Sequence, residues 1–264
     1  MTTGDRDRVI GTPLMGDDVV LAKVDNDLTL NQPWSDVGFA ISPFLKPDDY
    51  RQFYQGFELL FNNTLLDAGL EVPSGFTPKY YHQLVADNYE QHLKVIGKTK
   101  LFDAVDFPID MSMVEKRVSE LLKVEVKSIK PMNKERVFHL RVIRPGSADY
   151  NPLHRDAWQD ENRGAINIYV PLIGSNQNSS LQLCPGSHLW PESATVRSKE
   201  GALMNEVKFN VPGLISSDQP IELIRPNPGE NEMLIFSPYT IHGLSANHNL
   251  NETRISLEMR FWRI

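Results

Sequence analysis

Two textures of hydrophobic spacing divide the chain. Phe53, Phe57, Leu60 and Phe61 recur at intervals of three and four, the spacing of one helix face. Lys46-Pro47-Asp48-Asp49 opens that helix, with a proline and two acids suited to a first turn. Met113, Val114, Val118, Leu121 and Leu122 predict a second amphipathic helix over Ser112–Lys123. Before both, VGFAISPFL (37–45) reads as a short apolar strand. From Arg136 onward the runs are short and β-rich: VFHLRVI (137–143), AINIYVPL (165–172), SLQLC (180–184), IELI (221–224), EMLIF (232–236) and TRISLEMRFW (253–262). Short strands separated by Gly, Pro and Asn predict an antiparallel sandwich or jelly roll, not a parallel sheet with crossover helices. Residues 1–33 have weak periodicity and read as an irregular arm. The expected organisation is one domain over 34–264, mainly β with flanking helices, with a helical cover at 46–123 and a jelly-roll core at 136–264.

Alternation within the strands separates two faces. In AINIYVPL, Ile166, Ile168, Val170 and Leu172 point one way, and Ala165, Asn167 and Tyr169 the other. In the last run, Ile255, Leu257, Met259 and Phe261 oppose Arg254, Ser256, Glu258 and Arg260. A polar face of this kind is either a solvated surface or the lining of a cup.

Composition narrows the function classes. With 41% hydrophobic and 23% charged residues in a chain of 264, a packed core is expected and wholesale disorder is not. A net charge of −7 and the lack of a basic stripe argue against nucleic acid as a partner. Cys184 is the only cysteine, so no intrachain disulfide forms and a reducing, cytoplasmic setting is expected. No apolar run approaches the ~18 residues of a membrane span, and the N-terminus builds no secretory apolar region.

Chemistry concentrates at His154-Arg155-Asp156 and, 86 positions after Asp156, at His242 in SPYTIHGLSAN. Two imidazoles and one carboxylate match the facial triad of non-haem Fe(II) oxygenases. Residues i and i+2 of a strand lie on one side, roughly 6.5 Å apart, so His154 and Asp156 can share an ion while a distant segment supplies the third ligand. The kinase reading of His-Arg-Asp fails, because Glu161 stands where that loop needs Asn and no Asp-Phe-Gly follows. Arg254, twelve residues after His242, with Ser256 on its face, suits a carboxylate held by two parallel charge-assisted bonds. Arg260 shares that face at a longer offset and is the competing candidate.

Four segments together resemble the Fe(II)/2-oxoglutarate-dependent oxygenases, in particular the phytanoyl-CoA dioxygenase-like group. VGFAISPFLKPDDY is similar to its opening strand and helix, HRDAWQD to its HxD, NSSLQLCPGSH to its run ending in PGSH, and ENEMLIFSPYTIHGLSANHNLNETRISLEMRFW to its distal histidine and arginine strand. The resemblance implies a double-stranded β-helix of cupin-like form. It implies that His154, Asp156 and His242 bind Fe(II), that Arg254 and Ser256 hold the distal carboxylate of 2-oxoglutarate, and that Tyr169 lies against that cosubstrate. It also implies oxidative decarboxylation of 2-oxoglutarate to succinate by dioxygen, coupled to oxidation of a C–H bond in a small-molecule substrate. An intact Asp156 favours hydroxylation over halogenation, because related halogenases carry Gly or Ala there. Arg141, Trp158, Asn167 and Gln182 are further pocket candidates. His188 reads as a structural hydrogen-bonder and Cys184 as a buried small hydrophobe. The stretch 190–219 is long enough for a lid, and the aromatic segment 75–92 could form the facing wall. The alternative reading is a catalytically silent metal-binding module for sensing or assembly. A nucleic-acid demethylase is disfavoured by charge, and an acyl-CoA substrate lacks an evident Lys/Arg cluster for its phosphates.

Overall fold

The computed structural model describes residues 7–100, 102–103, 110–134 and 137–264. The first six residues of the expected arm, and 104–109 of the expected helical cover, lie outside them. The strands are β1 (Pro13–Met15), β2 (Phe39–Pro43), β3 (Phe102–Asp103), β4 (Val126–Lys127), β5 (Val137–Ile143), β6 (Ala165–Ile173), β7 (Thr195–Ser198), β8 (Ala202–Met204), β9 (Val207–Phe209), β10 (Leu214–Ser217), β11 (Glu232–Phe236) and β12 (Arg254–Arg263). The helices are α1 (Pro47–Asp67), α2 (Tyr81–Val85), α3 (Tyr89–Thr99) and α4 (Met111–Leu122). The larger sheet runs β2-β11-β6-β12-β5-β3, with β4 beside β12, and its pairings are antiparallel. A smaller sheet, β1-β7-β10, faces it and completes the jelly roll. The segment before Trp34 contributes β1 to that smaller sheet and buries Val9, Leu28 and Asp27.

The outer face of the large sheet is the main core. Ile166, Ile168 and Val170 of β6 and Leu257, Met259 and Phe261 of β12 pack under Phe53, Phe57 and Phe61 of α1 and Val114 and Val118 of α4. Phe57 and Phe61 are fully buried and stacked at 6.0 Å, and truncating such a ring to Ala costs about 3–5 kcal/mol. Pro47 stands at the start of α1 as the sequence predicts. Asp110 caps α4 by accepting from the Ser112 amide, and Lys123 ends it in the left-handed region at φ 56°. With α1 and α4 covering the outer face, the polar side chains of β6 and β12 are turned into the space between the two sheets.

Two expected strands do not form as such. SLQLC and IELI make only isolated bridges, Leu183 to His242 and Leu183 to Ile224. The stretch 190–219 holds β7 to β10, and β8 and β9 form a hairpin. Its turn residues Asn205 and Glu206 both have positive φ, 50° and 63°, as a two-residue type I′ connection requires. Among the described residues no helix is long and apolar enough to cross a membrane.

Candidate metal centre and cavity

The two histidines face each other across a single antiparallel bridge. The His154 amide donates to the His242 carbonyl at 2.9 Å and the His242 amide returns the bond at 3.0 Å. Gly243 makes this approach feasible: its φ is +134°, and a Cβ there would lie 2.3 Å from the Pro152 carbonyl oxygen. Asp156 is not on a continuing strand, as i, i+2 spacing predicted, but opens a 3-10 turn, Asp156–Trp158. Between the two ligand candidates, Arg155 points away from them. It is 1% exposed, donates to the Ser187 carbonyl at 2.7 Å and pairs with Glu192. Trp158 donates to the same Glu192 at 3.0 Å. Trp158 is not among the residues that line the cavity; with Arg155 it anchors the turn to Glu192.

The free atoms of His154, Asp156 and His242 decide whether they fit iron. Nδ1 of His154 donates to the Pro152 carbonyl at 2.8 Å, and Nδ1 of His242 donates to the Thr240 carbonyl at 3.0 Å. A carbonyl only accepts, so each ring carries its proton on Nδ1 and presents the lone pair of Nε2. The two Nε2 atoms stand 3.7 Å from Oδ1 and Oδ2 of Asp156, and one ligand atom from each residue lies within 4.8 Å of the others. Burial, together with the neighbouring His242, pushes the His154 pKa down to about 4, so the ring is neutral and able to ligate at pH 7. Burial alone would raise the Asp156 pKa, but Arg260, His242 and His154 outweigh it and keep the carboxyl below its ordinary range. Two imidazoles that turn Nε2 toward a common point and one carboxylate fit Fe(II).

The carboxylate of Asp156 is fixed from outside that set. Arg260 donates to Oδ1 at 2.7 Å and Asn167 to Oδ2 at 2.8 Å. Arg260, the competing candidate for a cosubstrate carboxylate, is thus engaged with the metal-ligand aspartate. Among the described residues no carboxylate lies within ion-pair distance of Arg254. It is 2% exposed, and its Nε and Nη1 have no partner; neither has Oγ of the fully buried Ser256. The Tyr169 ring lies 6.0 Å from the Arg254 guanidinium, and its hydroxyl bonds Ser175 at 2.8 Å. A bidentate carboxylate would satisfy these orphaned donors.

All of this opens into one cavity of about 370 Å³, at the lower end of the ~300–1,000 Å³ usual for small-molecule sites. Arg141, Asn167, Tyr169 and Arg254 line it, together with the triad. Arg141 grips Glu258 through two bonds of 2.9 and 3.3 Å, and burial of Glu258 is overcome by Arg141, which holds its pKa down at about 2. Ser256 is buried beside Arg254 and lies behind the cavity surface. Gln182 does not reach the cavity: Leu181 lines it, and Leu183 packs with Leu181 against Tyr169, Leu234 and Phe236. The expected parity of SLQLC is reversed because no continuous ladder sets it. His188 bonds the Ser35 carbonyl at 2.8 Å, and Cys184 is buried with Leu153 and Ile241. Tyr89, His92, Leu93 and Ile96 of α3 and Val207 and Phe209 of β9 also line the cavity, so the end of the 75–92 segment and part of the 190–219 stretch border it.

Sequence reading missed Arg225, Arg155 and Glu192. Arg225 donates to the Ala246 carbonyl at 2.9 Å, and burial, then repulsion from Arg254, lowers its pKa to about 10. No local pattern marks it, since its role depends on a contact with β12.

The family model "Phytanoyl-CoA dioxygenase (PhyH)" matches residues 38–256, a span that includes the three ligand candidates, Arg254 and Ser256. No curated protein matches the chain by sequence. Among solved structures, EctD from S. alaskensis in its apoform is similar at 13% identity and TM-score 0.50, covering 98% of this chain and 86% of that one. The non-heme monooxygenase ThoJ in its apo form is similar at 13% identity and TM-score 0.51, covering 86% of this chain and 75% of that one. These likenesses support the fold, and the family match carries the assignment. With a His-Asp-His triad in a jelly-roll core, the chain belongs to the phytanoyl-CoA dioxygenase family of Fe(II)/2-oxoglutarate-dependent oxygenases.

Proposed function

We propose that the protein hydroxylates, or otherwise oxidises, an unactivated C–H bond of a small metabolite, natural-product intermediate or sugar-like molecule. The observation that carries this reading is a three-ligand metal centre opening into the same cavity as a buried, unpartnered Arg254. Bound Fe(II) with 2-oxoglutarate and dioxygen supplies the oxidising power, yielding succinate and carbon dioxide. His154, His242 and Asp156 would hold the metal on one side and leave its remaining positions to small molecules. Arg254 would receive the distal carboxylate of 2-oxoglutarate, Ser256 would support it from the same strand face without lining the cavity, and Tyr169 would bound the cosubstrate on its flat side. Arg260 and Asn167 keep the Asp156 carboxylate oriented, as outer partners of metal ligands do. The carboxylate at 156 occupies the position that a halide would need, which supports hydroxylation over halogenation. Leu181 and Phe236 in the wall limit water around the reacting centre. The lone, buried Cys184 supports a reducing, cytoplasmic setting.

The test is a metabolite screen scored by succinate release from 2-oxoglutarate under air with Fe(II). A true substrate raises succinate above the uncoupled background and gains one oxygen atom or loses two hydrogens. Absence of any succinate, with or without candidates, from protein that binds Fe(II) would instead favour a silent metal-binding module.

A further inference from the structure

The charged side chains around the cavity are unequally committed, and this bears on the substrate that the proposed oxygenase would take. Each of its three carboxylates is already engaged. Asp156 is held by Arg260 and Asn167, and both oxygens of Glu258 face Arg141. Asp149 is held by Arg144 through bonds of 2.8 and 2.9 Å, with His92 at 3.4 Å. Among the described lining residues no acid is left to receive a cationic group. The cations differ. Lys208 in β9 and Lys100 just beyond α3 both line the cavity and are exposed, and among the described residues neither has a carboxylate within ion-pair distance. Loading the site does not change the balance, because the two charges of Fe(II) offset those of the 2-oxoglutarate dianion. The same lining carries the apolar Leu93, Ile96, Val207 and Phe209, exposed or half-buried, while the three ligand candidates are buried. A cavity whose lining carries more cations than carboxylates, in a chain of net charge −7, concentrates ligands of negative charge.

We infer that the substrate is a small amphipathic carboxylate, held by its acid group at the mouth between Lys100 and Lys208, with its apolar body reaching inward to the metal centre. This rests on the oxygenase reading and adds the substrate's charge and direction of entry. The cavity volume of about 370 Å³, shared with the cosubstrate, sets the size to a short chain or a single ring.

The experiment uses the protein loaded with Mn(II), a redox-silent spin probe, and 2-oxoglutarate. Three ligands of one shape are compared, hexanoate, 1-hexanol and hexylamine, by the paramagnetic relaxation of their methyl protons. Hexanoate is expected to bind at least about tenfold more tightly than either other ligand, with its methyl group strongly relaxed. Lys100→Glu/Lys208→Glu is expected to remove about tenfold of that affinity, and Lys208→Gln less. Hexylamine or hexanol binding as well as hexanoate, or an unchanged hexanoate affinity in the double variant, overturns the inference. So does relaxation strongest at the carbon next to the carboxylate, which reverses the direction of entry. Failure of Mn(II) to bind at all is a different result: it removes the oxygenase reading itself, and is recognised by unchanged water relaxation before any ligand is added.

Discussion

Arg254→Met separates a binding arginine from a structural one, because the two roles predict opposite changes in stability. Arg254 is 2% exposed, with Nε and Nη1 unpartnered, so the protein keeps a cation largely dehydrated with no carboxylate bonded to those two donors, only the longer-range charge of Glu258. Replacing buried charge by an apolar side chain of similar length is often stabilising by about 1–4 kcal/mol. The Tyr169 ring at 6.0 Å already offsets about 1 kcal/mol of that through a cation–π contact. The expected net gain is therefore up to about 3 kcal/mol, which raises the melting temperature by roughly 2–4 °C for each kcal/mol in a domain of this size. Cosubstrate binding moves the other way. Losing charge-assisted bonds worth about 1.5–3 kcal/mol each weakens 2-oxoglutarate by on the order of 100-fold. Calorimetric titration of 2-oxoglutarate into Mn(II)-loaded protein measures the second effect, and ligand-free thermal unfolding the first. Arg254→Lys, which keeps the charge and loses the planar fork, should fall between in affinity. A variant that melts lower and binds 2-oxoglutarate as tightly as the wild type would show that Arg254 is structural and pass the anion-binding role to Arg225.

Other outcomes follow from the same geometry. Gly243→Ala brings a Cβ to 2.3 Å from the Pro152 oxygen at a φ of +134°, so it should destabilise the fold by about 1–3 kcal/mol and separate the histidines, read by thermal unfolding and Mn(II) titration. Arg260→Ala or Asn167→Ala releases one oxygen of Asp156 and should weaken Mn(II) binding about 10–100-fold, measured by electron paramagnetic resonance, with little change in 2-oxoglutarate affinity once the metal is saturated. Glu258 has its pKa lowered from an ordinary 4.5 to about 2, so its contribution to stability is fully present above pH 4.5 and is lost as pH falls through 2. Glu258→Gln should accordingly flatten the acid limb of a urea-denaturation profile. A variant with the wild-type acid slope would show that this carboxylate does not carry the dependence.

The separation of faces in β6 and β12 was legible because hydrophobic alternation survives even the register shift between Ile255 and Ser256, so Arg254, Ser256, Glu258 and Arg260 share the inner side. His154, Asp156 and His242 could be picked out as residue types at telling spacings. Their convergence, however, is produced by a single bridge and a 3-10 turn, and strand geometry did not foresee that turn. The same turn explains Trp158, whose indole follows Arg155 to Glu192. Gln182 misled because alternation orients side chains only where a ladder fixes the strand, and SLQLC has one bridging residue in place of a ladder. Arg260 was legible as a cation on the right face, but which anion it meets depends on how far Asp156 projects across the cup. Arg225 and Glu192 act through contacts that join distant segments, which no local pattern encodes.

The most direct measurement of the central claim is anaerobic visible absorption of the protein with Fe(II) as 2-oxoglutarate is added. A weak charge-transfer band from a keto acid chelated to iron is expected, absent in His154→Ala and in Asp156→Ala. Both variants keeping the band, together with wild-type succinate formation, would contradict it.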